Sequence, residues 1–378
     1  IDNFSLMAIP FFIFAANVMK TGGLAKRIMN WAQTMVGAQK GGTAITTEIA
    51  CMFFGAVSGS SPATVIAIGG LTYPKMLEKG YPRDFTTGLI TSSGSVALLI
   101  PPSITAIVYG SVTGASVGAL FMGGLTAGIV YGLCFILYIM WYARKHNIPA
   151  DPKSSAREKW QATKDAAWAL GVPVIILGGI YTGIFTPTEA AGISAVYALI
   201  VSLFVYKEMT VKQLIDACIS SAGSTAQTMI LLAAASVFSW VLTIGQVPQH
   251  LSSMIINANL STVGFLLVTN ILMLIEGMFI DGSSAVVITA PLLYSTAVAL
   301  GIDPIHLGVI MVANASIGMF TPPFGLNLFV AQPVTGNSMT TIFKGVLPFI
   351  AISLVALALI TYIPSISLVL PRLIYGIG

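Results

Sequence analysis

Two short motifs occur twice in this chain, in the same order and at nearly the same spacing. Gly59-Ser60-Ser61 returns as Gly282-Ser283-Ser284, and Pro101-Pro102 returns as Pro322-Pro323. Val112-Thr113-Gly114 returns as Val334-Thr335-Gly336, while Gly22 and Gly245 each stand 37 residues before their triplet. Self-similarity of this kind marks a duplicated fold. The material between the landmarks is 56% hydrophobic and 8% charged, whereas soluble domains carry roughly 25% charged residues. Apolar stretches such as 180–206 and 342–363 exceed the ~20 helical residues needed to cross a hydrocarbon core. The fold class expected is therefore an all-α polytopic membrane protein built from two repeats.

Each half reads alike. A spanning helix (4–19; 225–244) leads to an amphipathic arm (24–36; 247–257). Two apolar segments too short to span then meet at the Gly-Ser-Ser triplet (43–57 with 63–77; 261–279 with 285–300), which predicts a re-entrant hairpin. A helix broken by Pro-Pro follows (85–109; 305–331), and a further helix closes the half (115–142; 339–362). Spans at 166–185 and 190–206 lie between the halves, and the repeat offset places their counterparts before Ile1, so about two helices are expected upstream of the sequence. No signal peptide is visible. Expected domains are a scaffold helix and arm over 1–42, a transport hairpin and broken helix over 43–114, and a linking helix with cytoplasmic loop over 115–165. Scaffold helices and a second arm over 166–259, a second transport hairpin and broken helix over 260–337, and a final helix with the C-terminus over 338–378 complete the set.

Threading these segments through a bilayer leaves Arg372 alone on one side and every other Lys and Arg on the opposite side. The crowded side is cytoplasmic by the positive-inside rule. The first hairpin then enters from the cytoplasm and the second, whose connector 301–304 lacks Lys and Arg, from outside, so the repeats are inverted. The net charge of +4 is explained by this asymmetry and points to the lipid bilayer, not to nucleic acid.

Backbone that is not helical at membrane depth needs protein or a polar cavity to satisfy it. Such places are 55–64 and 92–103 in the first half, and 276–284 and 314–323 in the second. A hairpin tip facing a helix break presents free carbonyls and small hydroxyls at one point, which suits Na⁺, and the helix N-termini there suit an anion. The competing reading is that small residues such as Gly55, Gly59, Gly110, Gly114 and Gly118 only allow close helix packing; the duplication weighs toward one cation site per half. Glu276 and Asp281 flank the second tip and are the clearest intramembrane ionisable pair. Asp281 is open to three roles: cation ligand, gate, or partner of a substrate amine. Glu48 and Glu189 are expected near interfaces or as helix caps, and 144–165 as a solvated loop. Cys51, Cys134, Cys218, His146, His250 and His306 are scattered and read as packing or loop residues, with no disulfide or metal framework. No G-x-S-x-G nucleophile elbow, no H-E-x-x-H pair and no P-loop is expected, so no enzyme activity and no ATPase is expected.

At this point a family resemblance is carried by Gly55-Ala56-Val57-Ser58-Gly59-Ser60-Ser61-Pro62-Ala63-Thr64, Tyr73-Pro74 with Lys79-Gly80-Tyr81, and Ile100-Pro101-Pro102-Ser103. Thr186-Pro187-Thr188-Glu189-Ala190-Ala191 and Phe320-Thr321-Pro322-Pro323-Phe324-Gly325 extend it along the chain. Together they resemble the large membrane subunit of tripartite ATP-independent periplasmic (TRAP) transporters. The resemblance implies an importer in the bacterial inner membrane, driven by Na⁺ and taking an organic acid anion, such as a C4-dicarboxylate or sialic acid. It further implies a periplasmic substrate-binding protein, a small four-helix membrane subunit, and a fold like that of divalent-anion/sodium symporters, whose transport domain moves as an elevator. Carried over, the first sodium site uses Ser58, Gly59, Ser60, Ser61, Gly94 and Pro101. The second uses Gly277, Asp281, Gly282, Ser283, Ser284, Gly318 and Thr321. Thr64, Ser92, Ser95, Asp281, Asn314 and Ser316 are the expected substrate-proximal residues. Rival readings are an anion channel, a stand-alone anion/sodium symporter, and an intramembrane hydrolase with Ser60 as nucleophile.

Overall fold

The structure, a computed structural model, describes residues 4–150, 152–250, 253 and 261–376. In the first half, α1 (Ala8–Thr21) follows a short 3₁₀ turn and leads to α2 (Leu24–Val36). Hairpin 1 pairs α3 (Gly42–Ser58) with α4 over residues 61–78, whose middle, Val65–Gly69, is a π-helical turn. α5 (Arg83–Ser93) tightens to 3₁₀ over Gly94–Leu98, breaks, and resumes as α6 (Ile104–Thr113); α7 (Val117–Lys145) closes the half. Then come α8 (Ala156–Tyr181), α9 (Pro187–Ile200, continued by a π turn) and α10 (Val211–Ile244). Hairpin 2 pairs α11 (Thr262–Gly277) with α12 (Gly282–Ala299). The second broken helix is α13 (Pro304–Gly318) with α14 (Leu326–Thr335), and α15 (Met339–Tyr362) and α16 (Ser365–Tyr375) end the chain.

The helix starts follow from side-chain oxygens that satisfy otherwise unpaired backbone N–H groups. Ser155, Thr186 and Thr210 each form a capping box with Glu158, Glu189 and Gln213. Ser116, Ser261 and Ser338 each accept an N–H three residues on. Gly59, Gly114 and Gly336 end their helices in the left-handed region, which favours glycine.

These caps correct two expected boundaries. The loop read over 144–165 shrinks, because the Ser155 box starts α8 at Ala156. The helix expected from 225 begins at Val211, because the Thr210 box nucleates it and its polar first turns stay exposed. α16 was not expected at all. Of hairpin 2, α12 has 18 apolar-rich residues and is by length and composition able to cross a membrane, so it is not too short to span. The second arm, read over 247–257, falls largely outside the described residues.

Among the described residues, seven helical stretches are long and apolar enough to cross a membrane. α1 packs on α9 and α10, and α2 on α8, forming one group. The hairpins and broken helices form another, in which α12 packs on α6, and α15 on α5. Phe85 of α5, Phe135, Tyr138 and Tyr142 of α7, and Phe349 of α15 make an aromatic core between the halves; the Phe85 and Tyr142 rings stack 3.8 Å apart. α10 leaves Ile230, Val237, Trp240 and Ile244 uncovered, an apolar face suited to lipid or a further membrane subunit.

Candidate functional site

The two Gly-Ser-Ser tips meet at one cavity of about 720 Å³. Ser58, Gly59, Ser60 and Ser61 line it from hairpin 1, and Asp281, Gly282, Ser283 and Ser284 from hairpin 2. Opposite the tips, Asn17 of α1 and Ser224, Gln227 and Thr228 of α10 close the space. A hydrogen bond donated by Asn17 Nδ2 to Ser221 Oγ, 2.8 Å, ties those two helices together.

The tips are held crosswise. Ser61 Oγ lies 3.0 Å from Asn327 Oδ1 and 2.7 Å from Asn327 Nδ2, and Asn327 Nδ2 also donates to the Thr91 carbonyl at 3.0 Å. Asn327 stands in α14, just past the Pro-Pro break of the other half. Reciprocally, Ser283 Oγ lies 3.2 Å from Thr105 Oγ1 in α6, just past the Pro-Pro break of the first half. Each tip therefore docks on the helix that follows the opposite break. Both Pro-Pro peptide bonds are cis.

Small residues set how closely hairpin and break approach. A Cβ at Gly55 would lie 2.7 Å from Ala97 Cα, and one at Gly277 the same distance from Gly318 Cα. A Cβ at Gly94 would come within 3.1 Å of the Ser61 carbonyl. The packing reading of these glycines and the ion-site reading are thus compatible: close backbone approach is what brings tip carbonyls to the break.

Four helix starts border the cavity, at Ser61, Ile104, Gly282 and Leu326. Their free N–H groups and dipoles favour negative charge. Ser103 caps α6 and Asp281 caps α12, accepting from Ser283 N at 2.9 Å and Ser284 N at 3.3 Å as well as from the Ser284 hydroxyl. The starts at Ser61 and Leu326 have no side-chain cap. Asp281 is the one charged side chain in the lining among the described residues. Its partner in the sequence reading, Glu276, points elsewhere and accepts from Thr289 Oγ1 at 2.5 Å.

The remaining expected site residues do not line the cavity. Thr64 Oγ1 bonds Ser58 Oγ and the Ser60 carbonyl, holding the tip in shape. Ser92 and Ser316 donate to carbonyls of their own helices, and Thr321, just past α13, donates to the Ile317 carbonyl. Ser95 bonds Tyr131, and Asn314 Nδ2 donates to Asn270 Oδ1. Pro101 belongs to the break, and Gly277 and Gly318 form the crossing. Polarity in an apolar helix flags such residues, but not the direction they face.

Of the other acidic residues, Glu189 caps α9 as expected, whereas Glu48 is fully buried inside α3 and caps nothing. His306 is a packed core residue, with Nδ1 2.6 Å from Ser367 Oγ. G-x-S-x-G, expected to be absent, does occur as Gly114-Ala115-Ser116-Val117-Gly118; Ser116 links α6 to α7 as an N-cap, and no strand precedes it as a nucleophile elbow requires. Residues missed by sequence reasoning are Asn327, Thr105 and the α10 face. The run Gly223-Ser224-Thr225-Ala226-Gln227-Thr228, polar within an apolar helix, carries a signal for the last.

Comparison with known proteins adds independent weight. Residues 1–366 match the family model described as the tripartite ATP-independent periplasmic transporter, DctM component. The C4-dicarboxylate TRAP transporter large permease protein DctM of Pseudomonas aeruginosa is 45% identical, over 98% of this chain and 87% of that protein. The sialic acid TRAP transporter large permease protein SiaM of Vibrio cholerae is 36% identical, over 100% of this chain and 88% of that protein. Among solved structures, the Alcanivorax borkumensis YdaH transporter superposes with a TM-score of 0.65 at 16% identity, covering 100% of this chain and 86% of that one, which is a likeness of fold alone.

Proposed function

This chain belongs to the DctM component family of the tripartite ATP-independent periplasmic transporters, and from that premise we propose that it is the large subunit of a Na⁺-coupled importer of an organic acid anion. It is a multi-pass protein of the bacterial inner membrane. It receives its substrate from a periplasmic binding protein and works beside a small four-helix membrane subunit. C4-dicarboxylates and sialic acids, the substrates in the names of its relatives, are the chemical class.

The observation that supports this reading is the charge balance of the cavity. An anion entering it meets two uncapped helix N-termini and a ring of hydroxyls and amides, but no Lys or Arg among the described lining residues, and one carboxylate. Helix dipoles give only partial charges. A carboxylate substrate leaving water for this space needs further positive charge nearby, and co-transported Na⁺ at the tips supplies it. Hydroxyl and carbonyl oxygens of Ser58, Gly59, Ser60 and Ser61 near Gly94 and Pro101 suit one ion; those of Asp281, Gly282, Ser283 and Ser284 near Gly277, Gly318 and Thr321 suit the other. Asn327 joins the first set through its bond to Ser61.

In the elevator reading, the hairpins and broken helices form the moving body. α1 and α10 belong to the static scaffold, and the cavity wall they contribute is the sliding surface. The crosswise docking of each tip on the opposite half supports a body that moves as one piece.

Uptake into proteoliposomes, measured with and without a Na⁺ gradient and the binding protein, tests the proposal. Accumulation is expected only with both. Uptake indifferent to both would make the chain a channel, and uptake that needs Na⁺ alone a stand-alone symporter. Ser61→Ala and Thr321→Ala are each expected to weaken apparent Na⁺ affinity; unchanged Na⁺ dependence in both would remove the two-site proposal.

A further inference from the structure

Glu48 is the most deeply buried carboxylate among the described residues, at 0% exposure in the middle of α3. Neither of its oxygens meets hydrogen-bond geometry with any partner, and neither does the Ser93 hydroxyl; Ser93, the last residue of α5, is nevertheless close enough to interact with the Glu48 carboxyl. α7 presses on it at a glycine: a Cβ at Gly132 would come within 3.4 Å of Glu48 Oε1. The titratable groups facing it are Cys51 of its own helix and Tyr131 of α7, neither of them cationic. The Tyr131 hydroxyl is engaged with Ser95 at 3.2 Å and Ser353 at 2.8 Å. Lys79 bonds Thr43 Oγ1 at 2.8 Å, five residues and about 7.5 Å along the helix from Glu48.

An ionised carboxylate without a counter-ion or donors costs many kcal/mol to bury, so such a group gives up its charge. The inverted repeat shows what that position accepts. Glu48 stands seven residues before Gly55, and Asn270 seven before Gly277; Ser93 stands eight before Pro101, and Asn314 eight before Pro322. Gly55 and Gly277 are the close-approach glycines of the two hairpins, so the two pairs are equivalent. In the second half the pair is neutral and bonded, with Asn314 Nδ2 donating to Asn270 Oδ1 at 2.8 Å and Asn270 Nδ2 donating to Thr361 Oγ1 at 3.0 Å. A protonated carboxyl, like a carboxamide, is neutral and sets a donor beside a carbonyl, one O–H where the amide has two N–H.

We propose that Glu48 is a proton-binding site in the seam between hairpin 1 and its broken helix, holding a proton at neutral pH and donating it in a hydrogen bond to Ser93 Oγ. The site is separate from the tips: its ligand is H⁺, and the pair is complete without a metal ion. The proton makes the first-half pair neutral, as the two amides make the second-half pair neutral, although the bond in the second half runs from Asn314 to Asn270.

Infrared difference spectroscopy on the full chain reconstituted in lipid at pH 7 tests this. Wild type minus Glu48→Gln is expected to show one carbonyl stretch of a protonated carboxyl, shifted in D₂O. Ser93→Ala keeps the acid but removes its acceptor, so the same band is expected to move to higher frequency. A difference spectrum with only ionised carboxylate bands, or an acid band unmoved by Ser93→Ala, overturns the proposal. Thermal melting gives a second measurement. Glu48→Gln, neutral and nearly isosteric, is expected to keep whatever upward shift Na⁺ gives the wild type; loss of that shift in Glu48→Gln would mean that the carboxyl binds Na⁺ and not a proton. Should Glu48→Gln fail to fold, wild type minus Ser93→Ala decides alone, through the presence or absence of a displaced acid band.

Discussion

The two hairpin tips share a triplet, a close-approach glycine and a crosswise dock, yet they end in opposite electrostatic states. At tip 1 the helix that starts at Ser61 has no side-chain cap, and its anchor, Ser61 with Asn327, is neutral and buried. At tip 2 Asp281 occupies the N-cap and brings a full negative charge to the cavity. Tip 1 therefore presents only neutral oxygens and leaves its backbone donors open to an anion, while tip 2 adds a carboxylate to its oxygens. A repeat that keeps its geometry has made its two copies electrostatically unequal.

The shared part of the comparison breaks most severely at the crossing. Gly318→Ala would put a Cβ 2.5 Å from Gly277 Cα, backbone against backbone, with no flexible side chain to yield. We expect a loss of about 3 kcal/mol, visible as failure to accumulate in the membrane or a collapse of the melting transition, while Gly114→Ala, with open space around it, is limited to the cost of its left-handed backbone. Asn327→Ala comes next. It leaves the Ser61 hydroxyl and the Thr91 carbonyl without their shared donor in a buried place, costing about 2 kcal/mol, and it is expected to reduce uptake as well as thermal stability. Stability loss with intact uptake would show that the dock is structural alone.

Asp281 separates charge from capping. Asp281→Ala loses the cap, about 1 kcal/mol, and the charge; Asp281→Asn keeps most of the cap and loses only the charge. Na⁺-dependent uptake is expected to fall in both, and retention in Asp281→Asn would reduce tip 2 to a helix cap like that of tip 1's neighbours. The smallest effect belongs to Thr105→Val, about 0.5 kcal/mol, because its partner Ser283 is only half-buried at the cavity edge and turns to water. An Asn327-sized effect there would make the two docks energetically equivalent, against the asymmetry described above.

The paired architecture was legible because it is written in local signals. Gly-Ser-Ser, Pro-Pro and the cap at Glu189 are short-range, and hydrophobic period and length did the rest; the Thr210 box is just as local but went unread, so α10 was expected to start at 225 and not at Val211. What sequence reading missed depends on depth and direction. Glu48 and Glu189 are single acids in apolar surroundings; only Glu189 carries a cap signature, Thr186 three residues before it, and the burial of Glu48 has no local mark. Asn314 and Ser95 read as lining a cavity, but a helix buries polar side chains on any face that has a partner, and theirs are Asn270 and Tyr131. Asn327 has no motif, since the corresponding place in the first half is held by Thr105, and the bond it makes reaches 266 residues back along the chain. That the tips share one cavity was likewise out of reach, because each was read within its own half.

The separation between Ser61 and Asn327 also orders events in time. At a synthesis rate of about 5–20 residues per second, the anchor of the first tip leaves the ribosome roughly 15–50 s after the tip itself. Through that interval the Ser61 hydroxyl has no Asn327 to bond. The docking of the first hairpin is therefore completed only once α14 exists, and a chain truncated before α14 lacks the partner that holds its first tip.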